Sequence, residues 1–367
     1  MTVSNPYKVI LTKMREYPND IPIDSDGNIS KSFKEYIRLL FTTEEAEIAQ
    51  HLEVKPLRVN VLSKRIGKDR KETKRILDEM ADKGIIQDIG GYSFFITIAH
   101  LFNIGFKYSK AMERLGKKGA ELYLDFFIKE KFYKRYESSD AGTSLTRIVP
   151  VEKSIDHQSE IINSEEIHRI IDNCMLPIVA TDCPCRNRTE ILGERECKDK
   201  YPIKESCFQL GPFGSYFINR GEGRELTREE AHKEFDKLAK LGLVFTTENV
   251  KQANHQIICC CCECCCSLMR GMTRFEDKNE HCSAKSNYIS KVDQDLCKGC
   301  GLCAKRCIFK AITVDEKSYV DPKKCYGCGV CAVTCPTSAI KLHREERSEI
   351  LENFKELTER VYDENRK

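Results

Sequence analysis

No stretch of this 367-residue chain approaches the roughly 20 consecutive apolar residues that a membrane-spanning helix requires. The longest apolar run, Phe94 to Phe102, is broken by Thr97 and His100 and reads instead as a buried strand. The first twenty residues lack an apolar core of signal-peptide length, so a cytoplasmic protein is expected. Neither sign of charge dominates: the net charge of +3 is too small to demand a nucleic-acid or membrane partner for the chain as a whole. Cysteine is absent from the first 173 residues.

After that point cysteine is abundant, with all 21 at or beyond Cys174. Dense cysteine in a small secreted domain signals disulfides, but here CxxC spacings dominate and no secretion signal is seen. Metal ligation is the expected use. So many thiols would oxidise in air, so a reducing, anaerobic compartment is expected. The remaining composition, 41% hydrophobic and 32% charged, is that of an ordinary globular protein of two or three domains.

Two segments repeat at an offset of 28 residues: Cys297, Cys300, Cys303 and Cys307, then Cys325, Cys328, Cys331 and Cys335. Both read C-x2-C-G-x-C-A-x2-C, and each is followed by Ala-Ile, at Ala311-Ile312 and Ala339-Ile340. Cysteines spaced by two residues in a tight loop let three thiolates converge on one cubane, and glycine lets backbone amides approach its sulfides. Zinc sites also use CxxC pairs, but a doubled CxxCxxCxxxC run fits iron–sulfur far better. From about Tyr288 to Leu342 the chain resembles bacterial-type 2[4Fe-4S] ferredoxins. The resemblance implies two [4Fe-4S] clusters, one held by Cys297, Cys300, Cys303 and Cys335, the other by Cys325, Cys328, Cys331 and Cys307. Ile308 departs from the pattern, standing where the family places proline after the fourth cysteine; Pro336 keeps it in the second half. Short strands are expected at Tyr288 to Val292 with Ile340 to Leu342, and at Ile312 to Val314 with Tyr319 to Val320.

Thirteen cysteines precede this module, and seven of the eight residues from Cys259 to Cys266 are cysteine, with Glu263 the exception. Neighbouring residues alternate faces on a strand, and only residues three or four apart share a face on a helix. The run therefore cannot direct every thiolate at one site and is expected to feed more than one, with at least one further iron–sulfur cluster. Candidate ligands are Cys183, Cys185, Cys197, Cys207, Cys259, Cys261, Cys262, Cys264, Cys265 and Cys266. Arg186, Arg188 and Arg270 would stabilise an anionic cluster in its reduced form if they face it, although solvent-facing positions are the alternative. His255 is a ligand candidate, but a packed histidine is the commoner case. Cys174, in an apolar run, reads as a buried small residue, while Cys282 is left undecided. Gly211-Pro-Phe-Gly214 and Gly221-Glu-Gly223 read as turn signals rather than phosphate loops, since neither leads from a strand into a helix with the required glycine spacing. Thr227-Arg-Glu-Glu230 is a capping box opening a helix to about Leu241, stopped by Gly242.

From about Thr181 to Leu342 the pattern also resembles multi-cluster 4Fe-4S binding proteins of anaerobes. These combine a CxCR-like motif, a dense cysteine run of the form C-x-C-C-x-C-C-C and a C-terminal ferredoxin module. That resemblance implies electron transfer without naming a substrate, and it leaves Cys260 as an addition to the run.

The N-terminal part has a different character. A helix opening at Thr43, a second over about Leu57 to Ile66, a third over Arg70 to Asp82, and a hairpin from Ile85 to Ile98 with Gly90-Gly91 at its tip follow the winged-helix order. Between Lys64 and Arg75 lie seven basic and two acidic residues, a face able to meet phosphates, yet DNA is not the favoured partner. Residues 105–137 should be helical. The tail carries Leu351, Phe354, Leu357 and Val361 at helical spacing and should dock on the body or on a partner.

The expected fold class is thus α+β and multidomain: a winged-helix-like domain (1–103), a helical and cysteine-rich cluster-binding domain (104–286), a 2[4Fe-4S] ferredoxin domain (287–342) and a C-terminal helix (343–367). The leading expected function is electron transfer between the ferredoxin module, the middle-domain cluster or clusters and a redox partner protein. The chain would then be an oxidoreductase component rather than a complete enzyme. The alternatives are a reductase with an open-site cluster in the middle domain, and a redox-sensing winged-helix regulator.

Overall fold

A computed structural model describes residues 5–15, 21–24, 26–94 and 105–365. The strand expected from Phe94 to Phe102, and the far end of the hairpin reaching Ile98, fall almost wholly outside these residues.

The N-terminal helices are α1 (Pro6–Arg15), α2 (Lys31–Leu40), α3 (Thr43–Ala49), α4 (Val59–Ile66) and α5 (Arg70–Asp82). Their ends follow from local chemistry. Thr42 and Glu45 form a reciprocal capping box on α3, the Asp69 carboxylate accepts from the amides of Lys71 and Glu72 at the start of α5, and Gly67 ends α4 in the left-handed conformation. The second helix starts at Val59 rather than at Leu57, because Leu57 exchanges backbone hydrogen bonds with Tyr92. A second bridge joins Gln87 to Ser93 around Gly90-Gly91. Next come α6 (Ser109–Tyr123), a π-helical turn (Leu124–Lys129) and α7 (Tyr133–Tyr136), which bury Leu122, Phe126 and Phe127.

The middle of the chain builds a six-stranded sheet from β1 (Thr146–Val149), β2 (Ile178–Thr181), β3 (Cys207–Leu210), β4 (Arg224–Leu226), β5 (Val244–Glu248) and β6 (Ile257–Cys261). The order is β1-β5-β6-β3-β2-β4, and every neighbouring pair is antiparallel. Period-two alternation sorts the side chains into two cores. Ile148, Val179, Val244 and Cys261 join the aromatic core of the N-terminal helices. Val149, Ile178, Phe208, Phe245, Ile258 and Cys260 pack on the other face, under α8 (Ile167–Asn173) and α11 (Arg228–Leu241). The expected capping box of α11 is present, and Gly242 ends that helix in the left-handed conformation.

Helices α9 (Pro184–Leu192) and α10 (Gly211–Ile218) each follow a strand directly. The reading of Gly211–Gly214 as a turn is therefore corrected, since these residues open α10. Pro212 has its φ already set for the first helical turn, and Gly211 adopts a φ of +59° as the chain leaves β3. A Cβ on Gly214 would lie 2.9 Å from Val179 and 3.0 Å from two carbonyl oxygens, so close helix–sheet packing explains this glycine.

After α12 (Ser267–Thr273) the chain forms two small antiparallel pairs, β7 (Tyr288–Val292) with β10 (Ile340–Arg344), and β8 (Ile312–Val314) with β9 (Ser318–Val320). Between them lie α13 (Leu302–Arg306) and α14 (Val330–Val333). The final helix, α15 (Phe354–Glu364), buries Leu357 and Val361 with Leu351 against Val250, so the tail docks on the protein's own body. No helix among the described residues is long and apolar enough to cross a membrane.

Candidate metal centre

The cysteine run is divided by its secondary structure. Cys259, Cys260 and Cys261 end strand β6, and Cys262 to Cys265 form the turn before Cys266 caps α12. Cys259 and Cys261 face the N-terminal core, whereas Cys260 faces the opposite one. Two thiol groupings result.

The first is compact. The Sγ atoms of Cys197, Cys262, Cys264 and Cys265 all lie within 4.8 Å of one another. Cys197 and Cys265 are 3.7 Å apart, and Cys264 and Cys265 are 3.5 Å apart. The close contacts make the four thiols one coupled group: Cys262, Cys264 and Cys265 hold the Cys197 thiol far below its ordinary range, and the same contacts push the thiols of Cys264 and Cys265 up.

The second grouping is a series. Cys183 neighbours Cys185, Cys185 neighbours Cys266, Cys266 neighbours Cys261, Cys261 neighbours Cys259, and Cys259 neighbours Cys207 across the β6–β3 pairing. The charge of Cys183 is also felt at Cys207, at the other end of this series. Thiols of Cys185 and Cys261 lower that of Cys266 to about 6. Cys260 joins neither group; it is packed in the core, and its carbonyl accepts from Arg186 at 2.7 Å. Cys174 is likewise a core residue, with its Sγ 3.3 Å from the Ile171 carbonyl.

Positive charge surrounds both groups. Arg186 and Arg188 are fully buried rather than solvent-facing. Arg186 donates to Ser206 at 2.8 Å and feels the charges of Cys183, Cys262 and Cys260. Arg188 donates to Ser267 at 3.0 Å, stacks 3.8 Å from the centre of the Tyr123 ring and feels Cys185 and Cys266. Sequence reasoning missed Lys107, which is buried and donates to Cys207 Sγ at 3.2 Å. It also missed Glu137, whose carboxyl is pushed well up by burial and then by the charge of Cys259. Neither carries a local signal, since each meets its thiol from a hundred or more residues away. His255 stays away from the thiols and is packed instead, with Nδ1 3.1 Å from the Thr247 hydroxyl.

In the C-terminal repeat Gly299, Gly301, Gly327 and Gly329 all have positive φ, between 61° and 74°. A Cβ at Gly327 would collide with Ser286 and the Tyr288 carbonyl, and one at Gly299 with the Glu316 carbonyl. These loops tolerate only glycine, and their polar hydrogens turn toward sulfur. The Ala311 amide donates to Cys307 Sγ at 3.3 Å, the Ser318 amide to Cys297 Sγ at 3.4 Å, and the hydroxyls of Ser290 and Ser318 lie 3.3 and 3.2 Å from the sulfurs of Cys331 and Cys303. Amides of Gly299 and Ser318 lower the Cys297 thiol. Cys328 feels Cys331, Cys307 and Cys325 together. Thiolate donors inside a cage of N–H and O–H groups fit the anionic sulfur of a cubane.

A cleft of about 170 Å³ separates the two regions, with Cys197 and Cys264 on one wall and Arg306, Cys307 and Ile308 on the other.

The loops, small sheets and cysteine repeat define a ferredoxin-type two-cluster module. Residues 296–339 match the family model of the 4Fe-4S dicluster domain. No curated protein and no solved structure matches the chain significantly. The dicluster domain and the buried cysteine cluster together point to iron–sulfur electron transfer.

Proposed function

We propose that the chain relays single electrons between a redox partner protein, the C-terminal dicluster module and a further iron–sulfur cluster held by the six-thiol series. Within the module, Cys297, Cys300, Cys303 and Cys335 would hold one cluster and Cys325, Cys328, Cys331 and Cys307 the other. Cys183, Cys185, Cys207, Cys259, Cys261 and Cys266 are the candidate ligands of the third. The observation that carries this reading is the series itself: six thiols from three separate segments meet in a buried site that also contains Lys107, Arg186 and Arg188. Bound clusters would supply one-electron exchange at metal and sulfide. The protein's own groups hold the thiolates, exclude water and compensate charge.

The two halves of the relay have different exposure. Cys300 is exposed, beside Leu296 (50% exposed) and Leu302 (36%), with Tyr319 (55%) on the neighbouring hairpin. That surface suits exchange with a redox partner. Cys307 lies inward, across the cleft from Cys197 and Cys264.

The test is anaerobic iron and acid-labile sulfide analysis of the full chain. The dicluster module alone accounts for about eight sulfides per chain. A value clearly above eight is expected, while eight would overturn the third cluster. Lys107 provides a second check. Lys107→Met removes a buried positive charge beside Cys207, which disfavours the more negative, reduced state. The middle cluster's midpoint potential in an electron paramagnetic resonance titration should fall by on the order of tens of millivolts, with the module's potentials unchanged.

The order α3, α4, α5 and then a bridged Gly-Gly turn supports reading the N-terminal part as winged-helix-like. A DNA-binding regulator is disfavoured by its charges. On α5 and the preceding turn Lys68, Lys74 and Arg75 are each paired with an acidic residue four positions on, Glu72, Asp78 and Glu79, at 2.5–2.6 Å. Such pairing blunts the phosphate-facing charge that non-specific DNA affinity needs.

A further inference from the structure

We propose that Cys197, Cys262, Cys264 and Cys265 hold one tetrahedrally coordinated metal ion, iron or zinc, rather than an iron–sulfur cubane. The proposal rests on sulfur spacing and is independent of the six-thiol reading. Four thiolates bound to one ion at about 2.3 Å form a tetrahedron whose edge is about 3.8 Å. A cubane spreads its four thiolates to roughly 6 Å, because each binds a different iron at a different corner. The separations here are 3.5 Å for Cys264–Cys265 and 3.7 Å for Cys197–Cys265, and no pair of the four exceeds 4.8 Å. These are one-ion distances.

The same chain supplies a control. Among the described residues this is the one group of three or more ligand atoms gathered so closely. Neither ferredoxin-type quartet forms such a group, although their cysteine pattern is that of cubane ligands. The compact spacing therefore belongs to this site and is not a general habit of the chain's thiols.

The local chain path fits a single ion. Cys262, Cys264 and Cys265 lie in one tight turn after β6, and Cys197 reaches them from the segment after α9. Four thiolates around a divalent ion carry a net charge of −2, and three arginines approach that charge. Arg186 lies near Cys262, Arg195 lies near Cys197, and Arg274 feels the charge of Cys264. The site would tie the turn of the cysteine run to the 193–207 segment, forming one wall of the cleft that faces Cys307.

The experiment compares the full-length wild type with Cys265→Ser, both purified anaerobically, by elemental analysis and acid-labile sulfide assay. The expected result is the loss of one metal atom per chain with the sulfide content unchanged. Loss of about four iron together with about four sulfides would mean a cubane, and an unchanged metal count would mean no site; either overturns the proposal. Should the variant not fold, the wild type decides. Zinc would show four sulfur neighbours at about 2.3 Å and no metal neighbour in X-ray absorption. Iron would show a single-ion tetrathiolate component in Mössbauer spectra, distinct from the clusters. Absence of both signals overturns the proposal.

Discussion

Replacing Glu165 by alanine is expected to destabilise the folded chain by about 3–5 kcal/mol, the cost of removing one partner from a buried ion pair. Glu165 is 1% exposed and accepts from Arg147 Nη2 at 3.0 Å and from Arg344 Nη1 at 2.7 Å. Arg147 stands on β1 of the six-stranded sheet, fully buried, and Arg344 ends β10 of the dicluster module. The carboxylate therefore bridges two guanidinium groups and joins the two sheets at that point. Burial lowers Arg147 to about 10, still protonated at neutral pH, so it cannot escape by losing its proton. Its Nε and Nη1 already lack hydrogen-bond partners, which leaves nothing to take over when Glu165 is removed. Glu165→Gln keeps an acceptor but not the charge and should fall between wild type and Glu165→Ala. Anaerobic thermal and denaturant unfolding of the three proteins checks this order. A loss below 1 kcal/mol for Glu165→Ala would show that the two sheets are held together by other contacts.

What the sequence disclosed, and what it hid, divides by the range of the interactions. The small strands around the C-terminal repeat were legible because its 28-residue period, its glycines and its short apolar segments are local. Strand bounds at Tyr288–Val292 and Ile312–Val314 emerge as expected, and helix α5 spans the expected Arg70 to Asp82 because Asp69 and Lys83-Gly84 mark its ends. Geometry also made it legible that the cysteine run must divide. Which thiols would meet was not legible. Cys197 reaches Cys265 across 68 positions and Cys207 meets Cys259 through a strand register, and neither relation has a local signature. The fully buried Arg186 and Arg188 were equally compatible with solvent-facing positions, since a charged residue on a helix gives no hint that thiols and a tyrosine ring will cover it. Lys107 carried no signal at all.

The dicluster module should lose its fold when one of its buried thiolates is removed, and Cys331→Ala is the sharpest case. The apolar core between its helices and its second hairpin is small: Ile312, Ala332 and Ile340, with Val292, Ala304, Val314 and Val320 packed against them, and the other members are cysteines. So little burial cannot offset the ordering of some fifty residues at about 1–2 kcal/mol each. The balance must come from ligation, which in small metal-bound domains contributes on the order of 10 kcal/mol to folding. The left-handed glycines sharpen the argument, because Gly299, Gly301, Gly327 and Gly329 give up the most chain entropy in adopting loops whose form suits a bound cluster. Cys331→Ala should therefore release about four iron and four sulfides. It should also expose the amides of β8, β9 and the intervening loops to hydrogen exchange. The six-stranded sheet has two cores of its own, so β2, β3 and β5 should keep their protection. Unchanged protection of β8 and β9 after the iron is lost would show that apolar packing alone holds the module. A collapse of β2 and β3 as well would show that the module and the middle sheet fold as one unit.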